Sequence, residues 1–86
     1  MARTVKPTAI PESYIISDPL SLGMFIRAKR TTDGLNIHDA AALCNVSVDT
    51  LGNLEKGTGT VSLEKAFHIM KMFGIELRVE PWEESV

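Results

Sequence analysis

The sequence predicts a small all-α protein: a bundle of four to five helices, followed by a short C-terminal β-strand that pairs across a homodimer. Three observations carry this expectation. Between Asp18 and Gly74, apolar residues recur at helical spacing in blocks opened by Asp, Asn or Ser, and several of these blocks are closed by Gly. From Ile75 the period changes to two, with apolar residues alternating with charged ones until Pro81 stops the pattern. A chain of 86 residues supports one core of marginal size, so association with a second copy is the expected further source of burial.

Residues 1–17 read as an N-terminal arm. Pro7 and Pro11 exclude a helix, Arg3 and Lys6 are basic, and Tyr14-Ile15-Ile16 can anchor the arm's end on the body. Residues 18–74 form the helical domain. Asp18-Pro19 supplies a cap and a first-turn proline, Leu22, Phe25, Ile26 and Lys29 follow at helical spacing, and Gly34 ends the first helix. Asn36 caps a second helix with Ala40, Ala41 and Leu43 facing inward, and Ser47 caps a third with Leu51 and Leu54 inward. The link between them is only Asn45-Val46. So short a link forces a steep crossing, which is the helix-turn-helix arrangement: the second helix of such a pair can enter a DNA major groove while the first spans the backbone.

Gly57 and Gly59 bracket a turn, after which Ser62 caps a fourth helix with Leu63, Ala66, Phe67, Met70 and Phe73 on one face and Gly74 at its end. Residues 75–80 form the strand. Its best available partner is the same segment of another copy, paired through Ile75, Leu77 and Val79; the alternative is an extended segment lying on its own helices. Residues 81–86 are an acidic tail around Trp82, either an anchor for a partner or a Trp folded back onto the dimer.

The formal net charge of -2 looks wrong for a DNA binder until it is divided along the chain, which leaves a near-neutral body that can still hold a local basic face. Nine Lys and Arg stand against eleven Asp and Glu, but Glu80, Glu83 and Glu84 lie at the end, so residues 1–79 carry nine basic and eight acidic groups, a net +1. Such a body predicts weaker non-specific binding than a strongly cationic module would show. Arg3 and Lys6 can follow phosphates or a minor groove, or belong to a terminus packed on the body; two charges make a weak patch and favour the second reading. The single cysteine, Cys44, sits among apolar positions and fits a reducing cytoplasm. No apolar run suits a signal peptide or a membrane span. His38 and His68 have no metal-ligand spacing, and there is no glycine-rich phosphate loop or paired nucleophile, so no enzyme, cofactor or small-molecule substrate is expected.

The stretch LNIHDAAALCNVSVDTLGNLEKG resembles the helix-turn-helix of the Xre or phage-repressor type, and the likeness runs without gaps from about Asp18 to Gly74. Within that family the chain is most similar to the HipB-type antitoxins, through Asp18-Pro19, the strand Gly74 to Glu80, and Trp82 in an acidic tail. The resemblance implies that Val48, Asp49, Thr50 and Asn53 occupy base-facing positions, where Thr50 and Asn53 are the best suited readers; the alternative is a solvated helix face. Helix N-termini attract phosphate, with Asn36, Ser47 and Lys56 best placed to help and Arg27 and Lys29 less so. Arg30 and Glu55 match a family ion pair between the first and third helices. Two positions depart from the pattern: many members carry Gln where Ile37 stands, and Ser or Gln where Gly52 stands. As a whole the resemblance implies a dimeric autorepressor that binds a near-palindromic operator and holds a HipA-like Ser/Thr kinase toxin inactive. The rivals are a stand-alone phage-type repressor and a protein-interaction module with weakened DNA binding.

Overall fold

The computed structural model describes residues 5–58 and 60–82; Arg3, Gly59, Glu83 and Glu84, singled out above, lie outside the described residues. Four helices follow in order: α1 (Pro19–Thr32), α2 (Ile37–Cys44), α3 (Val48–Lys56) and α4 (Leu63–Met72). Each begins at the side chain expected to cap it. Asp18 accepts from the Ser21 amide at 2.7 Å, Asn36 from Asp39 at 2.8 Å, Ser47 from Thr50 at 3.0 Å and Ser62 from Lys65 at 3.2 Å. At α1 the Ser21 hydroxyl also accepts from the Asp18 amide, completing a reciprocal cap with Ser in place of the usual Glu or Gln.

The chain leaves α1, α3 and α4 through the left-handed conformation at Gly34, Gly57 and Gly74. After α2 no glycine is available, and Asn45 takes that conformation at φ 56° instead, with the Val46 amide donating to the Ala41 carbonyl at 3.0 Å. Asparagine is among the few side chains that tolerate it. That residue makes the short link between α2 and α3 possible.

The core is assembled from Ile26 of α1, Ala40, Ala41 and Cys44 of α2, Leu51 and Leu54 of α3, and Ala66, Ile69, Met70 and Phe73 at the end of the bundle. Three inward assignments from the sequence are corrected. Leu43 is 50% exposed, Leu63 74% and Phe67 53%, while Ile69 is fully buried. Successive helical residues turn by about 100°. In α2 the inward direction is centred on Cys44 between Ala40 and Ala41, which rotates Leu43 out to the side; in α4 Ile69, Met70 and Ala66 take the inner face and Phe67 lies beyond its edge.

α1 and α3 cross backbone to backbone at Gly23, where an added Cβ would stand 2.4 Å from the carbonyl oxygens of both Leu54 and Glu55. The arm is docked further along α1. Thr8 donates its amide to the Thr31 hydroxyl at 2.7 Å, Thr31 being buried and donating in turn to the Arg27 carbonyl at 2.9 Å. Tyr14 lays its ring against Phe25, 6.2 Å between centroids, but remains largely exposed. No helix among the described residues is long and apolar enough to cross a membrane.

After α4, residues 75–82 carry no helix, and no strand occurs among the described residues. Ile75 donates its amide to the Met70 carbonyl and packs on the core. Beyond it, the backbone of residues 76–82 makes no hydrogen bond within the described chain. The expected strand thus has no ladder partner among the described residues, and Leu77 and Val79 are 44% and 83% exposed.

Candidate nucleic-acid interface

The exposed side of α3 is defined by which of its residues the core takes. Leu51, Gly52, Leu54 and Glu55 are buried, which turns Asp49, Asn53 and Lys56 outward along one stripe at spacings of four and three, with Thr50 at its edge. Thr50 is held in place: the Ser47 hydroxyl both accepts its amide and donates to its Oγ1 at 2.8 Å, leaving the Thr50 hydroxyl proton free to donate outward. Asn53 is half-buried, and its side-chain amide makes no hydrogen bond within the described residues, so both its donor and its acceptor are available. Val48 turns inward and packs against the core, which leaves little of it for a base. Asp49, by contrast, is exposed near the start of the stripe.

A groove of about 740 Å³ runs beside this stripe, lined by Lys6, Arg27, Asn36, Ile37, Gly52 and Lys56 among others. Its rim carries the positive charge of Lys6, Arg27 and Lys56, none of which has an ion-pair partner among the described residues. Lys29 differs. It pairs with Asp33 at 2.8 Å, so its charge is locally compensated. Asn36 is occupied by its cap, donating also to the Asp39 carboxylate at 3.1 Å, which holds the α2 N-terminus in shape. Docking of the arm through Thr31 brings Lys6 to the groove. The Thr8–Thr31 contact has no recognisable sequence signal, because a buried threonine on a helix looks like any other half-polar position.

Arg30 and Glu55 close the inner end of this groove. The guanidinium donates from Nε to Oε2 at 2.6 Å and from Nη2 to Oε1 at 2.9 Å, with Nη1 donating to the Leu35 carbonyl at 2.9 Å. Both side chains are less than a tenth exposed. The pair therefore removes Glu55 as a negative charge from the groove and clamps α1, α3 and the loop before α2 together. Such a buried pair adds little net stability, but it fixes helix register.

The two departures from the family pattern meet each other. A Cβ at Gly52 would stand 3.6 Å from Ile37 Cδ1, an ordinary contact, so the isoleucine lies over the glycine. The result is an apolar side chain over a bare helix surface. His68 is the residue most under-read from sequence: its Nε2 donates to the Cys44 carbonyl at 2.7 Å and ties α4 to the last turn of α2. Burial pushes the Cys44 thiol up from its ordinary value, which suits a packed rather than a reactive cysteine.

Two short helices, a link closed by a left-handed Asn, and an outward stripe on the second helix define a protein of the helix-turn-helix class. The family model described as HTH_3: Helix-turn-helix matches residues 26–79, well over half of the chain, and the protein belongs to that family. Among solved structures, the fold is similar to a HipB variant in complex with an O2 20mer, at TM-score 0.71 and 17% identity, covering 84% of this chain and 100% of that one. It is similar at TM-score 0.71 and 17% identity to a chain of a HipA-HipB-O2-O3 complex, covering 83% of this chain and 100% of that one, and at TM-score 0.70 and 17% identity to a structure described as MDT Protein, with the same coverage. At this identity the likeness is one of fold. A search of curated proteins finds no match.

Proposed function

We propose that the protein is a HipB-like antitoxin and autorepressor, which binds a near-palindromic operator as a homodimer and neutralises a HipA-like Ser/Thr kinase toxin in the cytoplasm. The observation that carries the DNA-reading half is the outward stripe of α3: Asn53 with its amide uncommitted, Thr50 locked by Ser47, and Lys56 beside a groove rimmed by Lys6 and Arg27. Asn53 pairs with adenine through its amide, and Thr50 donates to a base or touches a thymine methyl. Asn36, Ser47 and Lys56 position the backbone, and Lys6 extends that line of phosphate contacts. Val48 contributes apolar contact at most, and Asp49 accepts from a cytosine.

Dimerisation through Ile75, Leu77 and Val79 is supported by a period-two segment whose backbone, beyond the Ile75 amide, makes no hydrogen bond among the described residues. The antitoxin half is supported by the fold likeness to chains from HipB and HipA-HipB complexes, and by Trp82, which is 79% exposed at the start of an acidic tail. A large aromatic left in water is a natural anchor for a partner's pocket.

A specific observation favours a second reading, a protein-interaction module with little DNA affinity: Asp49 stands on the reading stripe, and Ile37 and Gly52 supply no hydrogen bonds beside it. One measurement separates the two. Fluorescence anisotropy with the full chain compares DNA from its own promoter with a random duplex over a salt series. The proposal expects at least about a thousandfold preference for the promoter at physiological salt. Equal affinity for both duplexes overturns it in favour of the interaction module.

A further inference from the structure

The charged face of residues 75–80 contains information that its apolar face lacks. Ile75, Leu77 and Val79 are interchangeable enough to pair in several registers, whereas Glu76, Arg78 and Glu80 are not. In an antiparallel pair of identical segments, residues directly opposite one another lie on the same face, so apolar meets apolar only if the two-fold axis passes through a residue. Three such centres, at Glu76, Leu77 and Arg78, set two or more of the apolar positions against one another; an axis at Val79 would also bring Arg78 opposite Glu80, but it sets Leu77 against Pro81, which has no amide to donate. An axis at Glu76 sets that carboxylate against its own copy. An axis at Arg78 sets two guanidinium groups together and places Glu76 opposite Glu80 on both sides. An axis at Leu77 instead sets Glu76 against the partner's Arg78 twice, Ile75 against the partner's Val79 twice, and Leu77 against itself.

We propose that the dimer ribbon is centred on Leu77, with reciprocal Glu76–Arg78 ion pairs specifying its register. This rests on the dimer put forward above and names its self-complementary surface. Three features support it. The backbone of residues 76–82 makes no hydrogen bond among the described residues, and neither Glu76 nor Arg78 has an ion-pair partner there. The segment also borders a groove of about 880 Å³ shared with Tyr14, Ile15 and Ile16, whose apolar side chains are 81%, 77% and 39% exposed. A partner segment seated in that groove lies between its counterpart and the apolar end of the arm, which covers what would otherwise be an open strand edge.

Disulfide trapping tests the register. Glu76→Cys and Arg78→Cys chains are prepared separately with Cys44 retained, since its burial and raised thiol make it a poor competitor. They are then oxidised alone and after subunit exchange. The expected result is a cross-linked heterodimer in the mixture and little cross-linking in either chain alone. Rapid cross-linking of Arg78→Cys alone, or of Glu76→Cys alone, overturns the register. Charge exchange gives a second reading without cysteine: Glu76→Arg should raise the dimer dissociation constant about tenfold, and Glu76→Arg with Arg78→Glu should restore it. A Glu76→Arg chain that dimerises more tightly, or a double variant that stays weak, also overturns it. Sedimentation of the unsubstituted chain keeps the two levels apart: a dimer with the wrong cross-links refutes only the register, whereas a monomer refutes the ribbon as well.

Discussion

Two helical glycines of this protein should respond in opposite directions to the same substitution. Gly52 lies inside α3 without a left-handed backbone, and a Cβ there meets only Ile37 Cδ1 at 3.6 Å. Alanine is favoured over glycine in a helix interior by about 1 kcal/mol, and the added methyl is buried on apolar carbon. Gly52→Ala should therefore stabilise the fold by about 1–1.5 kcal/mol, which in a domain of this size raises Tm by roughly 4–10 °C. Gly23→Ala gains the same helical propensity but places a methyl 2.4 Å from two carbonyl oxygens of α3. Backbone oxygens cannot rotate away as a side chain does, so α1 and α3 must separate, at a net cost of about 2 kcal/mol or more. Urea and thermal unfolding, run at one protein concentration because association shifts apparent stability, measure both changes. If Gly52→Ala is neutral or destabilising, the Ile37 lid is packed more tightly than described; if Gly23→Ala is tolerated, the helix crossing is not a backbone contact.

Other outcomes follow from the same geometry. Glu55→Ala strands Arg30 in a buried site and should cost about 3–5 kcal/mol in unfolding experiments, whereas replacing both partners with apolar residues of similar volume should recover most of that loss. Asn53→Ala should reduce discrimination at one base pair per half-site by about 1–3 kcal/mol, while Lys56→Ala should weaken specific and random DNA alike and flatten the salt dependence by about one unit per half-site; anisotropy titrations against operator variants distinguish them, and uniform loss for Asn53→Ala would make that residue a positioning contact. Deleting residues 81–86 removes Trp82 but no DNA contact, so operator affinity should persist while pull-down of a HipA-like kinase falls; an unchanged complex would place neutralisation on the helical faces.

The residues that start and stop elements were legible in the sequence because capping is local. Asp18, Asn36, Ser47 and Ser62 each cap a helix within three residues of themselves, and glycines end three of the four. The choice of inward face was less legible. α2 has eight residues, and several are small, so alanines and a cysteine set the direction and Leu43 yields to them. Contacts between distant segments were the least visible: nothing near His68 points to Cys44, and nothing near Thr31 points to Thr8. Arg30–Glu55 became legible only through family resemblance, since 25 residues separate its partners. The contact of Ile37 with Gly52 was likewise invisible to a reading position by position, since 15 residues separate the two.

The crossing at Gly23 has a consequence for how this protein can change its target. α3 is joined to α1 through backbone contact and through the Arg30–Glu55 clamp, and α1 in turn holds the arm at Thr31. The reading helix therefore cannot be tilted or slid on its own, and the whole head has to move as one piece. In the proposed dimer the ribbon begins at Ile75, directly after the left-handed Gly74, so the freedom to match operators of different half-site spacing lies at that junction and in the register of the ribbon. Lineages that acquire a new spacing should record it there, by insertion or by a shifted strand, while the heads stay unaltered.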